Sequence, residues 1–325
     1  MKIAIVHEPI IEGRPDSEDL IEEVSVVTGA LDELGFTHET IAIDGGLMGL
    51  QDMLVRLSEF SPDVVFNLVE SHQLGQRLFP AVCGVIELAG FPFTGCPYDA
   101  MLTTTNKITA KSMMRAAGIP TPEWYVYDGQ APVLNPDTTY IVKPSCEDAS
   151  VGIDDESVFA SLSDSHDKLL ASLPETFAKH RQPLLIEEFI KGREINVSVI
   201  EHRGGELEVF PAAEILFQDW PEDKPAIVGF NAKWLPESFE YTNTPRQFNP
   251  EGISAGALKE TALRCWRLFG LRGYARIDMR VSGQIYVIEV NANPCIAHES
   301  GYLSAAAEAG YSETDVIRMI IGASL

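Results

Sequence analysis

The feature that most limits what this chain can become is a pair of alternating strands either side of Ser282-Gly283: ARIDMRV over residues 275–281 and QIYVIEVN over 284–291. A two-residue turn between alternating runs is a hairpin signal. With Val281 opposite Gln284, Arg276 faces Glu289 and Asp278 faces Val287. Opposed residues share a face and side chains alternate along a strand, so Arg276, Asp278, Glu289 and Asn291 project to one side. Asp278 and Glu289 become diagonal neighbours, about 7–8 Å apart at Cα. The other face, with Ile277, Met279, Tyr286 and Ile288, is apolar and reads as the buried side. Two carboxylates and an amide form the oxygen-only donor set that Mg2+ takes when phosphates complete its shell. A solvated polar face with one ion pair is the competing reading.

Upstream, strands and helices alternate. Residues 1–6 read as a buried strand, and Val24, Val27, Leu31 and Leu34 follow at helical spacing before Gly35. Residues 63–68 (DVVFNL) predict a second strand, and residues 81–89 a helix stopped by Gly90 and Pro92. This order predicts an α/β segment with a small, largely parallel sheet over about the first hundred residues. Gly45, Gly46 and Gly49 lack the strand-GxGxxG-helix context of a dinucleotide fold. From Thr103 the pattern changes. Threonines offer an N-cap to a stripe of Ala110, Met113, Met114 and Ala117, and Gly118 with Pro120 ends the helix.

A strand YIVKP, a small-residue loop CEDASVGI and a polar helix with His166 and Lys168 come next, most of its polar residues reading as solvated. The strands LLIEEF and INVSVI precede a long Pro-, Asp- and Glu-rich loop over 218–251, of a length that signals a functional lid or a disordered connection, and then a helix over 254–269. The expected division is an N-terminal α/β domain (1–102) and two α+β domains (103–186 and 187–325).

Charge narrows the partners. Lys plus Arg number 24 against 48 Asp plus Glu, a net charge of −24, which repels nucleic-acid backbones and anionic membranes. An anionic small molecule then requires a local cluster of cations. Five cysteines at scattered spacing, without a CxxC pair, suit reduced thiols and a cytoplasmic setting. The N-terminal apolar run is too short for a signal peptide, and no stretch of about 18 apolar residues occurs.

These motifs resemble the ATP-grasp ligases, and within them the D-alanine:D-alanine ligase family. The matching pieces occur in the family's order: FPFTG (91–95), TTTNK (103–107), IVKPSCEDASVGI (141–153), LLIEEFIKGRE (184–194), AKW (232–234), GYARIDM (273–279) and IEVNANP (288–294). The resemblance implies a three-domain ATP-grasp fold, with ATP and Mg2+ as cofactors, two ions being the expected number and Mn2+ an acceptable substitute. It assigns Lys107 and Lys143 to the ATP phosphates, and Glu147 with Ser150 to the loop that covers the γ-phosphate through backbone N–H groups. Glu187, Phe189 and Ile190 match the segment that reads adenine, and Glu194 the ribose partner. Lys233 matches a phosphate lysine on the closing loop. Asp278, Glu289 and Asn291 take the metal roles, Arg276 the stabilisation of the acyl phosphate and tetrahedral adduct, Cys295 an oxyanion contact through its N–H, and Ser300 the carboxylate of the second substrate.

The amino-acid half departs from the family. Ile21 stands where the family has an acid two residues before Glu23-Val24-Ser25, Ala149 replaces a serine, and Trp234 replaces a tyrosine. Gly301 follows Ser300 where the family has a larger residue, opening space for a bulkier acceptor. The resulting expectation is an ATP-dependent carboxylate-amine ligase working through an acyl phosphate on a pair other than two D-alanines. A D-alanine:D-alanine ligase and a non-catalytic nucleotide-binding protein are the alternatives. Partners are small-molecule acids and amines, and the resemblance implies a homodimer.

Overall fold

The computed structural model describes residues 1–11, 15–44, 46–70, 79–147, 154–161 and 163–325. Three sheets organise it. The first is parallel, in the order Thr37–Ala42, Lys2–His7, Val64–Asn67. Ile3, Ala4, Ile5 and Val6 are all fully buried, as a central strand covered on both faces requires. Ala4 and Val6 pack with Met53 and Leu57 on one side. Ile3 and Ile5 pack on the other with Val27 and Leu31 of helix Pro15–Glu33 and with Ile317 and Ile320 of helix Glu313–Ala323. The last helix of the chain therefore shares a core with the first.

The second sheet is antiparallel, in the order Trp124–Tyr127, Leu184–Glu188, Tyr140–Pro144, Val158–Phe159. Helix Ser163–His180 covers it through Leu169 and Leu173. The strand Leu184–Glu188 runs across the boundary expected at 186/187. His166, expected in solvent, is buried, with Nε2 2.9 Å from the Thr138 carbonyl and its ring 5.5 Å from that of Tyr140.

The third sheet has the order Arg246–Phe248, Ala213–Ile215, Arg193–Glu201, Tyr274–Ser282, Gln284–Ala292, and Leu207–Val209 adds to Arg193–Glu201. Helix Ala255–Phe269 packs Leu258, Ala262, Trp266 and Phe269 into the same core as Ile277, Met279 and Val287. Its N-cap is Ser254, whose hydroxyl accepts the Ala257 N–H.

Two expectations change. The threonines 103–105 close a helix, Tyr98–Thr105, and the N-cap of Lys107–Ala116 is Asn106, whose side chain accepts the Thr109 N–H. Residues 218–251 are not a structureless loop. They hold the short helices Phe230–Trp234 and Phe239–Thr242 and the strand Arg246–Phe248, with Lys224 in ion pairs to Asp155 and to Glu240 at 2.8 Å.

Candidate active site

The hairpin that frames the site has a different register from the one the sequence suggests. Ser282 pairs with Gln284 and Met279 with Val287, so the turn is tighter by a residue. The ladder then shifts between Met279 and Asp278, and beyond the shift Asp278 pairs with Glu289 and Arg276 with Asn291. Ile288 is the extra residue of a β-bulge. Because a one-residue slip turns every side chain to the opposite face, the tight turn alone would put Glu289 on the core side; the bulge restores it. The four polar residues do share a face, with the carboxylates directly opposed rather than diagonal. The buried face is Ile277, Met279 and Val281 with Ile285, Val287 and Val290; Tyr286 lies opposite Arg280 and Ile288 lines the cleft.

That polar face lines a cleft of about 860 Å³ between the sheets. Arg276 holds Asp278 in a bidentate pair, Nε to Oδ1 at 2.8 Å and an Nη to Oδ2 at 2.9 Å. Asn291 Nδ2 donates to Oδ2 at 2.9 Å and Asn196 Nδ2 to Oδ1 at 2.7 Å. Burial works against the Arg276 charge, but the bond to Asp278 outweighs it and raises the guanidinium above its ordinary pKa. Glu289 takes the Lys107 ammonium at 2.7 Å. Burial opposes its ionisation, yet the Lys107 charge and hydrogen bond, with Lys233 and Lys143 adding, hold it down at about 2. Asp278, Glu289 and the Asn291 amide form an oxygen-only set on one face, a donor set that fits Mg2+.

Lys107 is only 7% exposed and also donates to the Glu147 carbonyl at 2.6 Å, so it stands behind Glu289 rather than on the cleft wall. Lys143 lines the cleft and is held by Glu187 at 2.5 Å. Glu187 itself is buried and meets a second lysine, Lys111. Phe189 and Ile190 line the cleft beside it. The Glu194 carboxylate, expected toward a ribose, is engaged by Arg280 at 2.5 Å, and Arg280 also donates to the Ala226 carbonyl at 2.7 Å. Ser150 and Ala149 lie outside the described residues.

Lys233 and Trp234 sit on helix Phe230–Trp234 and line the cleft. Lys233 has no ion pair among the described residues. Its side chain is exposed within the cleft, facing Arg276 as well as the acids Glu289, Asp278 and Glu194. At the other end, Ser300 caps helix Gly301–Glu308, and a Cβ at Gly301 would lie 3.6 Å from Arg246 Nε and 3.8 Å from an Arg276 Nη. Cys295 lines the wall near Glu23 and Glu70, with its sulfur 3.8 Å from Asp19 Oδ2. Burial and these carboxylates push its thiol far up, so a thiolate role is unfavourable. Its backbone N–H has no acceptor among the described residues, as an oxyanion donor requires.

Several cleft residues escaped the sequence reading. Arg280 follows Asp278 by two on one strand, so period-two alternation already placed it on the polar face. Asn196, Arg246 and the acids Glu8, Asp19 and Glu70 come from separated segments and carried no signal.

The family model described as D-ala D-ala ligase C-terminus matches residues 113–322. The chain belongs to the D-alanine–D-alanine ligase family. Among similar proteins, the D-alanine–D-alanine ligase of Syntrophotalea carbinolica is 30% identical over 93% of this chain and 92% of that protein. A relative described as uncharacterized protein y4sG, from Sinorhizobium fredii, is 31% identical over 91% of this chain and 85% of its own length. The structure of a D-alanine–D-alanine ligase from Bacillus anthracis, complexed with ATP, superposes with a TM-score of 0.76 at 20% identity, covering 100% of this chain and 97% of that one. The fold is thus the ATP-grasp fold of the D-alanine–D-alanine ligases, as the resemblance implied.

Proposed function

We propose that this chain is an ATP- and Mg2+-dependent ligase, ADP-forming, that joins a carboxylate to an amine through an acyl phosphate. The observation that carries the reading is the convergence of Lys143, Lys233 and Arg276 on the bulged hairpin face that holds Asp278, Glu289 and Asn291. The γ-phosphoryl group passes from ATP to a carboxylate oxygen. The amine nitrogen then attacks the carbonyl carbon, phosphate leaves, and the nitrogen loses a proton.

In such a reaction the protein mostly positions groups and neutralises charge. Lys143 and Lys233 meet the phosphates, with Lys107 behind Glu289, and the resemblance assigns Glu147 and Ser150, the latter outside the described residues, to the γ-phosphate. Phe189, Ile190 and the backbone at Glu187 receive the adenine, and Glu194, fixed by Arg280, faces the ribose. Arg276 stabilises the acyl phosphate oxygens, and the Cys295 N–H serves the oxyanion of the adduct. Asp278, Glu289 and Asn291 would hold Mg2+, which supplies charge neutralisation on the phosphates when bound.

The relatives named D-alanine–D-alanine ligase support D-alanine in both substrate positions. Ile21, which replaces the family's acid, is 49% exposed and does not line the cleft. Glu8, Asp19 and Glu70 do line it and can meet an ammonium from other backbone positions. Arg246, Ser300 and the N-terminus of Gly301–Glu308 suit the carboxylate of the second substrate. Trp234 on the wall, where the family has a hydroxyl, favours a second reading with a bulkier first acid. Phosphate release and product analysis with D-alanine as sole substrate decide between them. Efficient D-alanyl-D-alanine formation supports the first reading, turnover only with other acids and hydroxylamine supports the second, and no ATP turnover with any acid overturns both.

The three-domain division rests on the three sheets, with the second joint moved past Glu188. The homodimer is proposed on the family resemblance alone. No helix among the described residues is long and apolar enough to cross a membrane; a cytoplasmic site is the matching proposal.

A further inference from the structure

Lys111 lies one turn after Lys107 on helix Lys107–Ala116, is 1% exposed, and does not line the cleft. Its ammonium meets Glu187 Oε1, donates to Thr121 Oγ1 at 2.6 Å, and lies 3.4 Å from the Pro122 carbonyl. Two hydrogen-bond acceptors and an ion-paired carboxylate oxygen around the ammonium describe a charged lysine. Glu187, also 1% exposed, turns its other oxygen to Lys143 at 2.5 Å. Lys143 and Glu187 are diagonal neighbours on paired strands, since Ile141 pairs with Glu187 and Lys143 with Leu185. Two ammonium groups therefore share one carboxylate, one behind the cleft wall and one on it.

We propose that Lys111 is a positioning residue for the nucleotide: by neutralising Glu187 from behind, it leaves Lys143 with net positive charge for the phosphates. The inference rests on the nucleotide reading above. Without Lys111, Lys143 and Glu187 form a neutral pair, and an incoming phosphate competes with the carboxylate for the Lys143 ammonium. With Lys111 the trio carries one net positive charge, and its exposed end is Lys143. The chain's net charge of −24 makes such a local surplus necessary. Burial lowers the Lys111 pKa, with Lys143 and Arg115 adding to that effect, while the Glu187 charge and hydrogen bond work to retain its proton. Burial also disfavours the Glu187 carboxylate, but the two lysines overcome it and hold its pKa below the usual range.

The test compares ADP with adenosine binding by calorimetry on the full chain. Wild type must bind ADP; if it binds neither ligand, the nucleotide reading fails and not the role of Lys111 alone. Lys111→Met should weaken ADP about tenfold or more and leave adenosine within about twofold, because only the phosphates feel the missing charge. Lys111→Arg, which keeps the charge, should retain ADP affinity within about threefold, and Lys111→Met combined with Glu187→Gln should recover most of the ADP affinity by restoring the net charge. Equal loss of ADP and adenosine, or ADP affinity unchanged in Lys111→Met, overturns the proposal. If Lys111→Met alone does not fold, the double variant and Lys111→Arg carry the decision, and failure of both to bind ADP while binding adenosine overturns it.

Discussion

Asp278 sits directly opposite Glu289 across the hairpin, whereas the next residue, Met279, pairs with Val287. The residue left over, Ile288, is what turns Glu289 toward Lys107 and the cleft. The bulge falls on the outermost strand of the sheet, where a local disruption of the ladder costs least.

Replacing Glu289 by Gln should separate chemistry from nucleotide binding. The segment proposed to receive adenine stays intact, while the opposed carboxylate pair and the anchor of Lys107 are lost. We expect kcat to fall by about 100- to 1000-fold, the range of one transition-state electrostatic contact, with ADP affinity changed by less than about fivefold. Phosphate release and calorimetry check it. A wild-type rate in Mg2+ would sink the metal assignment.

Arg246 tests the second substrate. Arg246 is exposed to the cleft, and an arginine stays protonated, so it can meet a carboxylate at Gly301. Arg246→Met should raise the KM of the second substrate by about 10- to 100-fold and leave that of ATP nearly unchanged, matching the loss of one charge-assisted contact. A rise in both constants together would point to a collapsed cleft instead.

The ammonium of the first substrate tests Asp19 and Glu70. Asp19→Asn and Glu70→Gln should each raise its KM by about tenfold or more, and Ile21→Ala should do little. D-alanine kinetics unaffected by either acid variant would favour the reading in which the first acid carries no recognised ammonium.

Glu23 predicts a pH dependence of stability. It is 1% exposed and accepts the Ile296 N–H at 2.7 Å. Burial pushes its pKa from the usual 4.5 up to about 8; the Ile296 and Cys295 hydrogen bonds moderate that rise, and Asp19 and Glu8 add to it. The folded chain thus keeps a proton that the unfolded chain has released. The contribution is complete below about pH 4.5 and is lost as pH rises through about 8, a change of a few kcal/mol. Thermal melts across that window should show wild type losing stability relative to Glu23→Gln. Parallel curves would mean that Glu23 is ionised throughout.

The amino-acid sequence determined the alternation of strands and helices, the polar face of the hairpin and the order of the motifs, because each depends on neighbours within a few residues. Period two put Arg276 and Asp278 on one face whatever the turn did. The turn length and the bulge were not legible, since the polar set falls on one face either with the looser turn or with the tighter turn plus one extra residue. Tertiary structure alone decided which charges met. Lys107 was read as a phosphate lysine and is buried against Glu289, Glu194 was read as a ribose partner and is tied to Arg280, and Lys111 gave no signal at all. The acids at Glu8, Asp19 and Glu70 gather near Cys295 from separate segments. Such pairings join residues far apart in the chain and depend on how sheets and helices pack, which local periodicity does not encode.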